Sequence, residues 1–538
     1  MAPRIALLRP SNPSGSGYLT KWGFLPTPLG LLALAGSLRA HGFNDIMILD
    51  MEADSLSVDQ AVSRILDFDA DVVGITLHAT AAHGTSIEIV RKLRERKGSI
   101  VTVAGGHHAT FLPEEMVKAG FHVSVLGEGD DAISEIVHCV ANGRGFGEVR
   151  GIVFSDSGKI VRTKPRPLMR SLDDLAMPAF DLVNPESYRF DVFGKDNRVA
   201  CVETSRGCPY ACDFCSVTPT WGNKWRNKSN QRIMEELRFI KSLGFNWVFF
   251  TDDIFVVGTN TDQRRELFRM MIAENLGLKY IVQMRADVTA RNPDLIRMAA
   301  ESGMTIAFLG IESGSQEVLK KMHKGIFTPQ SVQAVKTLNS NGIITLIGMM
   351  VGAPYERVSD MISTIRFSRK LADAGADAVQ FSCYTPLPGT RVFYDSLKND
   401  RLFTLDWDRY DVLTPVMYTR VNPILTQIMQ FYGVYSFYVI KYFKGKMKGI
   451  VAKGAKRDLL FNAQKYIFAM MPKYIREFLR FPKLLLETYD HLAEFRQRRR
   501  TGITQVALDK ESLLLQSSRI VYDQGDGLNP YFMISQQH

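Results

Sequence analysis

Short apolar segments alternate with amphipathic ones in two separate blocks of this chain, and that repeated alternation restricts the fold more than any other feature. Within residues 1–145, segments 5–8, 46–49, 72–76, 100–104 and 123–126 read as strands, while 29–40, 58–66 and 85–96 carry helical spacing. Strands divided by helices pair side by side in parallel. The pattern therefore predicts a doubly wound, Rossmann-like α/β domain with helices on both faces and any ligand beyond the carboxyl ends of the strands. Those ends carry Thr76-Leu-His78, Gly105-Gly106-His107-His108 and Gly127-Glu128-Gly129. Glycines there let the backbone approach a large planar or phosphate-bearing ligand, although glycine after a strand also serves as a plain turn.

The second block spans residues 199–400. Strands are expected at 199–203, 247–251, 280–284, 305–310, 345–350 and 378–384. Six strand-helix units suit an open, partial (βα)6 barrel, whose catalytic groups gather at the carboxyl ends of its strands. Residues 146–198 read as a linker, with a small hairpin at 151–161 followed by Pro165, Pro167 and Pro178. Residues 401–538 read as a mostly helical, basic carboxyl-terminal region.

Directly after the first strand of the second block comes Cys208-Pro-Tyr-Ala-Cys212-Asp-Phe214-Cys215, a C-x3-C-x2-C cluster holding three of the six cysteines. Thiolates this close on one loop can converge on a soft metal centre, and three ligands to a four-iron cluster leave one iron open to chemistry. The competing readings are a zinc knuckle with a distant fourth ligand, or merely buried thiols. Closed zinc sites usually show paired C-x2-C units or nearby histidines, which this loop lacks. Cys139, Cys201 and Cys383 are scattered and suit buried apolar thiols better than a second cluster.

The chain has 538 residues, 46% of them hydrophobic, enough for about three domains with substantial cores. This composition excludes a disordered protein. So few cysteines in so long a chain argue against a disulfide framework and for a reducing, cytoplasmic setting, and the amino-terminal residues lack the apolar run of a secretion signal. The net charge of +10 is local. Residues 421–500 carry 16 Lys and Arg against 5 Asp and Glu, so the remainder of the chain is close to neutral.

Several motifs in order resemble the cobalamin-dependent radical SAM enzymes. The run from Pro26 to Gly42, Ala104-Gly-Gly-His-His-Ala-Thr-Phe-Leu-Pro113 and Leu126-Gly-Glu-Gly129 are similar to the family's cobalamin-binding domain. The cysteine cluster is similar to its radical SAM signature, and Phe250-Thr251-Asp252-Asp253-Ile-Phe255, Gln283-Met-Arg285-Ala-Asp287, Gly310-Ile-Glu312-Ser-Gly314, Gly348-Met-Met-Val-Gly352 and Pro386-Leu-Pro-Gly-Thr390 follow at matching intervals. The resemblance implies that Cys208, Cys212 and Cys215 hold a [4Fe-4S] cluster that chelates S-adenosylmethionine (SAM). It also implies SAM contacts from Phe214, Thr251, Asp252, Asp253, Arg285, Glu312, Gly348 and Gly352. Thr76, His78, Gly105, Gly106, His107, Gly127 and Glu128 are the implied cobalamin contacts, with His108 a further candidate for the pocket. The Asp-x-His-x-x-Gly motif that supplies a lower-face histidine in other cobalamin proteins is absent.

By the same resemblance the chain is an enzyme that takes electrons from an external donor and cleaves SAM to a radical. The layout is similar to hopanoid methylases, which favours methyl transfer to an unactivated carbon of an apolar, lipid-like small molecule. It is also similar to tetraether-lipid ring synthases and the anaerobic Mg-protoporphyrin monomethyl ester cyclase, which keeps ring closure open. A protein that only carries a cofactor is the remaining alternative. Residues 421–440 lack charge, yet Asn422, Gln427, Gln430 and Gly433 make them a poor membrane span. Beyond them aromatic and aliphatic residues, among them Tyr442, Phe443, Phe461, Phe468 and Phe478, interleave with Lys and Arg. Amphipathic helices of this kind suit the anionic inner face of a membrane, and a helical cap over the barrel or a nucleic-acid surface are the alternatives.

Overall fold

The computed structural model describes residues 2–11, 23–443 and 454–501; the side chains of Tyr442 and Phe443, with residues 444–453 and 502–538, lie outside the described residues. The first sheet contains β1 (Ile5–Arg9), β2 (Ile46–Asp50), β3 (Val72–Thr76), β4 (Val101–Gly105) and β5 (Val123–Val125), all parallel and ordered β2-β1-β3-β4-β5. Alternate residues serve opposite faces. Ala6, Leu8, Val73 and Ile75 pack under α2 (Val58–Asp67) and α3 (His83–Arg96). Ile5, Leu7, Val72 and Val103 pack under α1 (Leu29–Ala40) and α4 (Asp130–Ala141). Helix α2 starts where a capping box permits: Gln60 N donates to Ser57 Oγ and Ser57 N to Gln60 Oε1.

The hairpin expected in the connector forms as β6 (Ile152–Asp156) and β7 (Lys159–Arg162) and pairs antiparallel with β5. The first sheet thus has seven strands and reaches past residue 145. Burial of Ile152, Val153 and Phe154 accounts for this, since a free linker would expose them.

The second sheet holds the six expected strands, all parallel and in sequence order: β8 (Val199–Val202), β9 (Trp247–Phe250), β10 (Lys279–Met284), β11 (Met304–Glu312), β12 (Ile344–Val351) and β13 (Ala378–Cys383). Its outer face is covered by α5 (Asn230–Ser242), α6 (Thr261–Glu274), α7 (Pro293–Glu301), α8 (Thr328–Ser340) and α9 (Val358–Ala374). At the amino ends of the strands, Val199, Trp247, Ile281, Ile306 and Ile344 join Phe24, Phe190 and Leu459 in a separate apolar plug. One end of the barrel is therefore closed by packing, which leaves the carboxyl end for a ligand.

Three carboxyl-terminal helices follow: α10 (Pro423–Phe443), α11 (Ala455–Ala469) and α12 (Met471–Thr501). Leu459 of α11 belongs to the plug. Helix α10 packs against β13 and α12 through residues that weakened it as a span. Gln430 Nε2 donates to the Phe381 carbonyl at 2.8 Å, Gln427 Oε1 accepts from Thr488 Oγ1 at 2.9 Å, and a Cβ at Gly433 would stand 2.8 Å from the Phe381 ring. No helix among the described residues is long and apolar enough to cross a membrane.

Candidate active site

The cysteine loop is folded by its flanks. Ser205–Arg206 pairs antiparallel with Arg226–Asn227, which closes the loop on itself. Gly207 has φ +94°, and a Cβ there would come within 2.3 Å of the Lys224 carbonyl, so only glycine fits. Asp252, at the end of β9, is buried and accepts from Thr204 N at 3.1 Å, from Thr204 Oγ1 at 2.5 Å and from Ser205 Oγ. Its carboxylate therefore pins the start of the cysteine loop rather than facing the barrel mouth. Arg264, wholly buried, completes the knot by donating to Thr204 Oγ1 at 2.6 Å and to the Phe255 carbonyl at 2.8 Å.

All three loop cysteines are free thiols. Burial pushes Cys208 up to about 11 and raises Cys212 and Cys215 as well. Protonated thiols in such a place are poor ligands, and the charge of a bound metal reverses that balance by deprotonating them. Three reduced thiols on one loop are the donor set that a cluster with one open iron requires.

Around the loop the structure gathers most of the residues expected to contact SAM. Asp253 is close enough to Cys208 and Cys215 to affect their charge; burial, then Glu203 and Asp252, push its carboxyl up to about 8. Thr251 stands beside it at the end of β9, its Oγ1 3.5 Å from the Val202 carbonyl. The Arg285 guanidinium lies 3.5 Å from the Tyr210 ring centroid, held by Asp287 at 3.0 Å and the Lys324 carbonyl at 2.8 Å. Glu312 ends β11 with φ +69°, at a register shift against β12. A glutamate held in left-handed backbone costs energy, and such strain often marks a ligand-facing position. Its Oε1 accepts from the buried Lys324 Nζ at 2.6 Å, and that ammonium lies 5.8 Å from the Phe214 ring centroid. Burial disfavours the Lys324 charge, but Glu312 and Cys212 together more than offset it, so its pKa is raised.

The two glycines expected to admit the adenosyl group have nearer reasons to be glycine. A Cβ at Gly348 would stand 2.7 Å from the Phe308 ring, and one at Gly352, with φ +94°, 2.6 Å from Thr426 of α10.

At the carboxyl ends of the first sheet, the His78 side chain is exposed, and desolvation by the surrounding protein, followed by Arg9, lowers its pKa. His107 is held down to about 3 by burial, then by His78 and His108, so it is neutral at any ordinary pH. Its Nε2 is buried with no partner, and its Nδ1 lies 3.4 Å from Thr220 Oγ1, just after the cysteine loop. A Cβ at Gly105 would meet nothing within 4 Å. An unpartnered imidazole nitrogen, an exposed His78 and an open glycine face fit a large planar ligand between the two sheets. Thr76 pairs with Gly105 at the same rim, and Gly127 N donates to Thr110 Oγ1 at 3.0 Å.

Three other residues are not free to face that ligand. Gly106, with φ +94°, is glycine because a Cβ would stand 2.9 Å from His78 N. His108 is fully buried, its Nε2 3.0 Å from Glu115 Oε2, in a knot with His83 and Trp407. Glu128 joins the two domains instead: Oε1 accepts from Arg226 Nη1 at 2.7 Å and Arg206 Nη1 at 3.2 Å, and Oε2 from Met169 N at 2.7 Å. Arg206 also reaches Asp130 at 3.0 Å and Glu203 at 2.8 Å. Lys324, Arg206 and Tyr210 have no periodic signature that could mark them in the sequence, although Arg206 and Tyr210 lie within or beside the cysteine motif.

A Rossmann-like sheet and an open barrel that turn their carboxyl ends toward one another, with a three-thiol loop between, define an enzyme built around two large cofactors. Residues 15–137 match the B12 binding domain and residues 202–368 the Radical SAM superfamily. An uncharacterized methyltransferase of Pyrococcus horikoshii is 32% identical over 421 residues, covering 77% of this chain and 87% of the relative. The anaerobic magnesium-protoporphyrin IX monomethyl ester cyclase of Rubrivivax gelatinosus is 27% identical over 77% of this chain and 73% of its own, and the hopanoid C-3 methylase of Methylococcus capsulatus 28% identical over 76% and 74%. The solved radical SAM methyltransferase TsrM of Kitasatospora setae, with cobalamin and a [4Fe-4S] cluster bound, superposes with a TM-score of 0.64 at 15% identity, covering 88% of this chain and all of that one. The chain belongs to the B12-binding radical SAM enzyme family, and its cofactors are cobalamin, a [4Fe-4S] cluster and SAM.

Proposed function

We propose that this enzyme transfers a methyl group to an unactivated carbon of an apolar, lipid-like substrate. The observation that carries the reading is the relative from Pyrococcus, which is named a methyltransferase and is aligned over 77% of this chain and 87% of its own. The hopanoid methylase supports the apolar substrate class. When bound, the cluster and SAM supply a carbon radical able to remove hydrogen from an unreactive carbon, and cobalamin supplies the methyl group.

The chain's own residues bind and orient. Cys208, Cys212 and Cys215 would hold the cluster. Glu312 presents a carboxylate and Asp253 a carboxyl group at the mouth, where an ammonium or hydroxyls of SAM find acceptors, and Phe214 offers a ring beside the third cysteine. His78, His107 and the open face of Gly105 would line the corrin cleft. The apolar plug at the amino end excludes water from below.

A second reading, oxidative ring closure, is favoured by the comparable match to the magnesium-protoporphyrin cyclase. The products decide between them. Methyl transfer yields S-adenosylhomocysteine and a product in which a methyl group replaces one hydrogen, a net gain of CH2. Loss of hydrogen without added methyl would overturn it in favour of cyclisation.

A further inference from the structure

The carboxyl-terminal helices expose more large apolar side chains than any other part of the described chain. On α10, Ile428, Tyr432, Tyr435 and Val439 point outward at spacings of four, three and four residues, one continuous helical stripe. The opposite face holds Gln430 and Gly433 against Phe381 of the barrel, so the stripe is not a core face left over. On α12, Ile475, Leu479, Leu486 and Tyr489 form a second stripe, with Leu479 69% and Leu486 63% exposed. The two adjoin through ring contacts, Phe431 with Phe481 at 3.9 Å and Tyr435 with Phe478 at 5.5 Å. On α11, Phe461 and Phe468 are exposed as well, the latter 65%. Isolated exposed apolar residues need no explanation, but adjoining stripes on packed helices mark an interaction surface.

Charge identifies the occupant. Lys465, Lys473, Arg476 and Lys483 are exposed among these stripes, and Lys465 Nζ lies 4.5 Å from the Phe461 ring centroid. Residues 421–500 hold 16 basic against 5 acidic side chains, and although Lys441 and Lys456 are buried against Asp377, the excess remains basic. Protein interfaces are depleted of lysine, whereas an anionic bilayer surface takes aromatic and aliphatic tips below a layer of Lys and Arg. We infer that α10, α11 and α12 seat the enzyme on an anionic membrane surface without crossing it. Thr426, buried in the first turn of α10, packs beside Gly352 just past the end of β12, so the amino-terminal end of α10 stands next to the carboxyl end of that strand. The inference rests on the apolar-substrate reading only for what the surface delivers.

The test is co-sedimentation of the full-length holoenzyme with phosphatidylcholine vesicles, with and without phosphatidylglycerol. Binding is expected with the anionic vesicles, weakening as salt rises and falling about tenfold or more in L479D/L486D. 5′-Deoxyadenosine formation, assayed separately, should persist in that variant; its loss in the wild type would fault the functional reading and leave the vesicle result to stand alone. Absence of binding to anionic vesicles, or binding unchanged by L479D/L486D, overturns the inference. So does a dimer or a complex with single-stranded RNA that the same substitutions abolish while vesicles are ignored.

Discussion

At the scale of single residues, the acidic groups near the mouth divide into those that build and those that face a ligand. Asp252 builds, and D252A should cost about 3 kcal/mol by leaving the Thr204 and Ser205 donors and buried Arg264 unmatched, read as a lowered midpoint in thermal unfolding. Glu356 gives a cleaner signature. It is wholly buried, accepts from Gly352 N at 2.7 Å and Ala353 N at 3.1 Å, and burial raises its carboxyl from 4.5 to about 7. The unfolded chain releases this proton first, so stability falls as pH rises from about 4.5 through 7, by at most about 3 kcal/mol. E356Q keeps an acceptor for both amides and should lose that slope in melts compared at pH values on either side of the window. The sequence showed which residues end strands but not which way each points. Asp252 and Asp253 are neighbours in one motif, and only the packing of Thr204 and Arg264 separates a structural carboxylate from one beside the cluster cysteines.

At the scale of elements, all eleven expected parallel strands form, because each combines an apolar run with turn residues at its ends and no competing period. The hairpin was visible too, but its pairing with β5 was not, since sheet partners depend on distant surfaces that must be buried together. Glycines show the same limit. Gly207, Gly348 and Gly352 are glycine for lack of room beside a carbonyl, a ring and a helix, which spacing alone cannot reveal. G352A should lose about 2 kcal/mol through its left-handed backbone and the clash with Thr426. Adding T426S removes the clashing methyl and should restore part of that loss, leaving the backbone strain, in the same thermal melts.

At the scale of the whole molecule, the two cofactor domains are joined by buried charge. Arg206 bridges Glu128 and Asp130 of the first domain to Glu203 of the second, with Arg226 beside it. R206M leaves three carboxylates short of a partner and should destabilise the docked pair by about 3–5 kcal/mol, seen as earlier unfolding and faster loss of cobalamin on gel filtration. The measurement that bears most directly on the central claim is iron content, cobalamin content and 5′-deoxyadenosine formation in reconstituted wild-type and C212A protein. The account predicts that wild type holds about four irons and one cobalamin and cleaves SAM when reduced, while C212A retains cobalamin but loses the cluster and all cleavage. A C212A protein that kept both its iron and its 5′-deoxyadenosine yield would contradict it.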